Sequence, residues 1–171
     1  SVQQVIDHFG GIHNIEMARL WNSRKLIIVE GKDVGLLKIL QDKLYPSSDE
    51  PLDIVPSIAI GGWGGWSYAI GSKILIKSTT ESISMYCLFD SDYFTESDIQ
   101  KRKKEAREHN INLHIWERKE IENYFLSGDL IFRYIYENAD NKEIDKSIIK
   151  IKIDEILEEL KDKTFDAIAQ H

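Results

Sequence analysis

The chain is predicted to be an α/β domain with a mainly parallel four-stranded sheet flanked by helices, on two observations. Short apolar runs alternate with segments of helical period. Each apolar run also ends on acids or glycines: Glu30-Gly31, Gly61-Gly62, Asp90-Ser91-Asp92, and the acidic stretch Glu117 to Glu122. In parallel sheets covered by helices, functional groups gather at the carboxyl ends of the strands. These runs therefore bring acids and glycines to one rim.

Lys25–Val29 reads as the first strand. Val34–Leu44 follows with apolar residues at Leu36, Leu37, Ile39, Leu40 and Leu44, a helical spacing. Pro46 to Pro51 is a loop, and Ile54–Ile60 is a second strand that Pro56 makes either irregular or an edge. Past the turn Gly61–Gly65, Trp66–Lys77 reads as a helix with Ala69, Ile70, Ile74 and Leu75 on one side. Ser84–Phe89 is the third strand. Thr95 and Asp98 have capping-box spacing and open a helix that runs to about Glu108. Leu113–Trp116 is the fourth strand. Helical period resumes from Lys119 through Tyr136, breaks at Asn138–Asn141, and returns over Glu143–Lys163. The alternation at Ile149–Ile153 also suits a strand. This divides the chain into a helical lead-in (1–23), a core (24–137) and a C-terminal helical segment (138–171).

The length of 171 residues suits one domain that buries roughly two-thirds of its unfolded surface. A hydrophobic content of 42% with 30% charged residues is that of a soluble globular protein. No apolar run reaches the length of a membrane span, and the polar first twenty residues do not read as a signal peptide. Ser1 at the start and Ile168-Ala169-Gln170-His171 at the end suggest a domain cut from a longer protein. The lone Cys87 can form no internal disulfide, which fits a reducing cytoplasm. The five His have no ligand spacing for zinc, and Glu30-Gly31-Lys32-Asp33 is not a P-loop. A net charge of −7 argues against holding nucleic acid by bulk charge alone. It argues less against an enzyme that meets phosphates through a bound cation.

Asp90 and Asp92 are the leading candidates for such a cation. Two carboxylates at the end of a buried strand repel each other and resist desolvation, and a hard Mg²⁺ or Mn²⁺ removes both costs. Glu30 ends another strand and suits a second ligand or a general base toward water. Asp33 is either a ligand or a helix-capping residue. Gly61-Gly62 permits close backbone approach. Trp63 and Trp66 suit core packing first and base stacking second. Lys101, Arg102 and Lys104 form the main basic cluster, which suits either phosphate contact or a solvated helix face.

Taken in order, Leu26–Gly31 (LIIVEG) with Lys32-Asp33, the glycines after the second strand, and Leu88–Asp92 (LFDSD) resemble the Toprim domain. The segment Glu120–Leu126 (EIENYFL) resembles the Toprim nucleases of the OLD (overcoming lysogenization defect) family and related defence-associated proteins. The resemblance spans about Arg24 to Leu126. It implies a Rossmann-like Toprim fold and a divalent-metal-dependent endonuclease acting on DNA. It further implies one or two Mg²⁺ or Mn²⁺ ions and no nucleotide bound within this domain. An ABC-type ATPase, fused upstream or separate, would be the partner in anti-phage defence, and a homo-oligomer is compatible with this. By the same resemblance Glu122 is a candidate ligand for a second ion, with Glu120 and Glu117 behind it. Val34 stands where such domains often carry a second acid, and a downstream catalytic Lys has no assigned position. A small Toprim ribonuclease acting on structured RNA and a catalytically silent regulatory Toprim module are the rival expectations.

Overall fold

A computed structural model describes residues 15–79, 82–139 and 145–169. Residues 1–14 of the lead-in, the start of the last helix at Glu143, and Asp140 and Asn141 of the break before it lie outside the described residues. The chain forms two compact units: Ser1–Asp90 with Glu96–Ile115, and Ser91–Thr95 with Trp116–His171.

The first unit holds an all-parallel, four-stranded, Rossmann-like sheet in the order β2-β1-β3-β4. The strands are β1 (Lys25–Val29), β2 (Ser57–Ala59), β3 (Ser84–Phe89) and β4 (Asn112–Ile115). The two central strands are continuous apolar runs, as burial on both faces requires. β2 lies at the edge but keeps only three residues of the expected Ile54–Ile60, because Ile54 belongs to a 3₁₀ turn and Pro56 precedes the strand; the carbonyl of Pro56 still accepts from Ile27 N–H at 3.0 Å. Val29 is in register with Ala59 on one side and Leu88 on the other, and Phe89 with Ile115. The strand ends therefore line up along one edge.

Residues 15–23 form helix α1, followed by α2 (Asp33–Leu44), α3 (Trp66–Thr79) and α4 (Glu96–Glu108). One sheet face, carrying Leu26, Ile28, Met85, Cys87 and Phe89, packs against Trp66 and Ala69 of α3 and Ala106 of α4. The opposite face, with Ile27 and Val29, packs against Val55, Leu52 and Val34 of α2. The inward face of α3 differs from the expected one. Ala69 and Ile70 do pack inward, but Ile74 and Leu75 are exposed, and Ile76 takes the inward place. Counting from Trp66, positions 69, 70 and 73 share its face, 75 is opposite, and 74 and 76 lie about 80° to either side, so packing on the 69 and 73 side is what brings Ile76 inward and leaves Ile74 out. Position 73 is a lysine, and Lys73 Nζ is satisfied by donating to the Ile83 carbonyl at 3.1 Å. Helix α4 stops in a Schellman arrangement. Asn110 is left-handed at φ 53, Ile111 N–H reaches Ala106 O at 2.8 Å, and Asn110 N–H reaches Arg107 O at 3.1 Å.

In the second unit the continuous helix expected over Lys119–Tyr136 is instead two pieces. A 3₁₀ turn covers Ile121–Tyr124, and helix α5 (Gly128–Asn138) starts afresh. Ser127 causes the restart: its extended backbone and its Oγ, which accepts from Leu130 N–H at 3.2 Å, make it an N-cap. Helix α6 (Lys146–Ala169) includes Ile149–Ile153, so that alternation is helical and not a strand. α6 lies against α5 through buried Ile149, through Ile153 close to Gly128, and through the Lys146–Asp129 ion pair at 2.6 Å. Among the described residues, no helix is long and apolar enough to cross a membrane.

Candidate metal centre at the rim of the parallel sheet

Glu30 is the residue at which three strand ends meet. Its carbonyl accepts from Gly61 N–H at 3.1 Å, tying the end of β1 to the turn after β2. Its carboxylate turns the other way, and Oε2 accepts from Asp90 N–H at 3.3 Å, just past β3. The side chain crosses from one strand end to the next because the glycine turn leaves room for it. A Cβ on Gly62 would stand 2.1 Å from Glu30 Oε1 and 2.9 Å from its Cδ. Gly61 and Gly62 also have φ of 69° and 79°, the left-handed region that glycine enters without penalty.

Asp90 is half-buried and held from both sides. Its N–H goes to Glu30, and its carbonyl accepts from Trp63 Nε1 at 2.8 Å. Trp63 and Trp66 are both buried, so the core role expected of them is the one they fill. Trp66 meets Phe89 edge to face at 6.0 Å and donates its Nε1–H to Glu105 Oε2 at 2.9 Å. Arg102 lies 5.1 Å from the ring centroid of each tryptophan and pairs with the same Glu105 oxygen at 3.2 Å. Of the three basic candidates on α4, Arg102 is thus packed into this cluster. Lys104 is 3.9 Å from Glu108, and Lys101 is exposed.

Asp33 is the first residue of α2, half-buried, in the first helical turn where a carboxylate complements the helix dipole. The N-cap position belongs to Lys32, without a side-chain cap, so Asp33 is not the capping residue. Val34 packs into the second core cluster, which accounts for an apolar residue there.

The remaining candidates belong to the second unit. Asp92 is left-handed at φ 46, a conformation that Asp tolerates better than most residues, and its N–H donates to Lys119 O at 3.3 Å. Ser91 Oγ donates to Arg118 O at 3.0 Å. The acidic segment is folded around Tyr124, whose hydroxyl accepts from Glu117 N–H at 3.0 Å and Arg118 N–H at 3.2 Å. Trp116 packs edge-on against the Tyr124 ring at 5.8 Å, and buried Ile121 anchors the turn. Glu120 is extended and pairs with Lys119 at 3.1 Å; Glu122 and Glu117 are exposed. Hydrogen bonding to Tyr93, and then to Glu120, holds the Lys119 ammonium above its ordinary pKa.

Sequence reasoning missed the framing roles of Trp63, Arg102 and Tyr124. An indole inside a glycine turn was the available signal for Trp63; nothing local marks Tyr124 as a double acceptor. Among the described residues, no three His, Cys, Asp or Glu side chains form a metal-holding group. Glu30 and Asp90 nonetheless fit a hard cation. They are half-buried oxygen donors that follow neighbouring parallel strands, and the absent side chain of Gly62 is what admits the Glu30 carboxylate to that rim. Mg²⁺ commonly takes only one or two protein carboxylates and completes its shell with water. Comparison with family models, with curated proteins and with solved structures finds no match.

Proposed function

We propose that this chain is a divalent-metal-dependent endonuclease domain of OLD-like Toprim type, hydrolysing DNA phosphodiester bonds. The observation that carries this is the bond from Asp90 N–H to Glu30 Oε2, which fixes two acids from separate strands at one sheet edge. Glu30 and Asp90 would hold Mg²⁺ or Mn²⁺. When bound, such an ion polarises the scissile phosphate and lowers the pKa of a coordinated water. Glu30 would orient a water beside the scissile phosphate or accept its proton at the carboxylate. Asp90 has its backbone bonded on both sides, which restrains the Cα–Cβ bond from which its carboxylate is carried. Asp33, Asp92, Glu120 and Glu122 enter through the motif, and single Ala variants assign each one. Lys101 and Lys104 are the phosphate-contacting candidates on α4. The wider setting is cytoplasmic anti-phage defence beside an ABC-type ATPase, fused or separate.

The test is supercoiled plasmid with Mg²⁺ or Mn²⁺, against chelator and against Asp90→Ala. Metal-dependent nicking that Asp90→Ala abolishes is expected. Nicking untouched by Asp90→Ala would sink the mechanism. Cleavage of structured RNA alone would favour the ribonuclease reading, and a chain that takes up no Mn²⁺ at millimolar concentration would favour the silent module.

A further inference from the structure

We infer that Trp63 and Arg102 are positioning residues for the Asp90 carboxylate, and that Arg102 acts through Trp63 and not on phosphate. This rests on the metal-dependent reading of Glu30 and Asp90. A side chain's direction follows from the two peptide planes that flank its Cα. At Asp90 the preceding plane is held by the N–H bond to Glu30 Oε2, and the following plane by the Trp63 indole on its carbonyl. With both planes held, the Cα–Cβ bond of Asp90 has one direction relative to Glu30. Losing either bond removes one of these two restraints on that direction.

The same turn serves both acids. Gly62 leaves the space that Glu30 occupies, and the next residue, Trp63, supplies the donor to Asp90. The indole is in turn held by Arg102. The guanidinium packs against Trp63 and Trp66 at equal centroid distances of 5.1 Å, and Glu105 ties it to the Trp66 N–H. A planar cation over aromatic faces is a packing element that lysine does not reproduce. An Arg102 engaged in this way has its guanidinium faces and one of its donors already committed. Partners that orient metal ligands from behind are the usual site of such control, and their loss typically weakens metal binding about 10- to 100-fold.

The experiment is Mn²⁺ calorimetry on the 171-residue chain, well below its melting temperature, with Trp63→Phe, Arg102→Gln and the double variant. Trp63→Phe keeps a ring and removes the N–H donor. Each single variant is expected to bind Mn²⁺ about tenfold more weakly. The double variant is expected to match Trp63→Phe alone, because Arg102 works through the indole. Added losses in the double variant would overturn the relay, as would Mn²⁺ affinity unchanged in both single variants. In a Trp63→Phe background, Arg102→Gln should leave affinity for duplex DNA unchanged; a further drop would make Arg102 a phosphate contact. If Trp63→Phe fails to fold, Arg102→Lys, at a side chain with 22% exposure, carries the test, and unaltered Mn²⁺ affinity there refutes the proposal. A wild-type chain that binds no Mn²⁺ overturns the metal reading itself, and is told apart because the variants then have nothing to lose.

Discussion

Replacing Gly62 by Ala tests the glycine turn and the Glu30 carboxylate together. Two costs act at this position. At φ 79 an L residue is strained, by about 1–2 kcal/mol. The new Cβ would also sit 2.1 Å from Glu30 Oε1, so the carboxylate must leave. Its hydrogen bond from Asp90 N–H goes with it, and bonds to charged groups are worth about 1.5–3 kcal/mol. The expected total is roughly 2.5–5 kcal/mol. Gly61 is the matched control: φ is 69, but nothing lies within 4 Å of a Cβ there. Gly61→Ala should therefore show the strain alone, about 1–2 kcal/mol. Urea unfolding followed by tryptophan fluorescence and by circular dichroism measures both. The decisive comparison uses Glu30→Ala, which removes the clashing group. In that background Gly62→Ala should cost no more than Gly61→Ala. An equal cost of Gly62→Ala with and without the Glu30 side chain would refute the steric argument and detach the turn from the acid.

Three further outcomes are expected. The Cys87 thiol, fully buried and pushed up to about 12 by desolvation, should resist iodoacetamide at pH 8 in the native chain and react only as fast as the fold opens. Rapid labelling without unfolding would contradict the packing of β3. The Lys146 ammonium beside Asp129 holds that carboxyl below its ordinary value. A lowered folded-state pKa adds stability above the ordinary Asp value, and this is lost as pH falls through the folded-state value. NMR titration should place the Asp129 midpoint below that of a free Asp, and Lys146→Gln should return it. Tyr124→Phe removes the acceptor of two backbone N–H groups in the acidic segment and is expected to cost about 1 kcal/mol. Faster amide exchange confined to residues 117–124 should accompany it, and unchanged exchange at Glu117 and Arg118 would show that the hydroxyl is not their partner.

The fold class was legible because burial on both faces writes itself into sequence as uninterrupted apolar runs. KLIIV and SMYCLF could be little else, while Pro56 left an irregular or an edge strand open and the sheet order settled on the edge. Helix α5 was less legible. Its restart depends on a single Ser side chain capping Leu130, a local bond that overrides an otherwise continuous helical period. The inward face of α3 was hidden for a similar reason. Hydropathy favoured Ile74 and Leu75, while the helix turns a lysine inward and satisfies it on a carbonyl.

The sequence by itself determined the alternation of strands and helices and the acids at strand ends, since both follow from side-chain chemistry at fixed local spacing. Only the tertiary structure decided which acids meet. Glu30 and Asp90 are sixty residues apart in the chain, and parallel register with a Cβ-free glycine brings one carboxylate onto the other's backbone. The tertiary structure alone also turned Arg102 from a member of a basic run into a packed partner of two tryptophans, because stacking depends on where the rings lie in space.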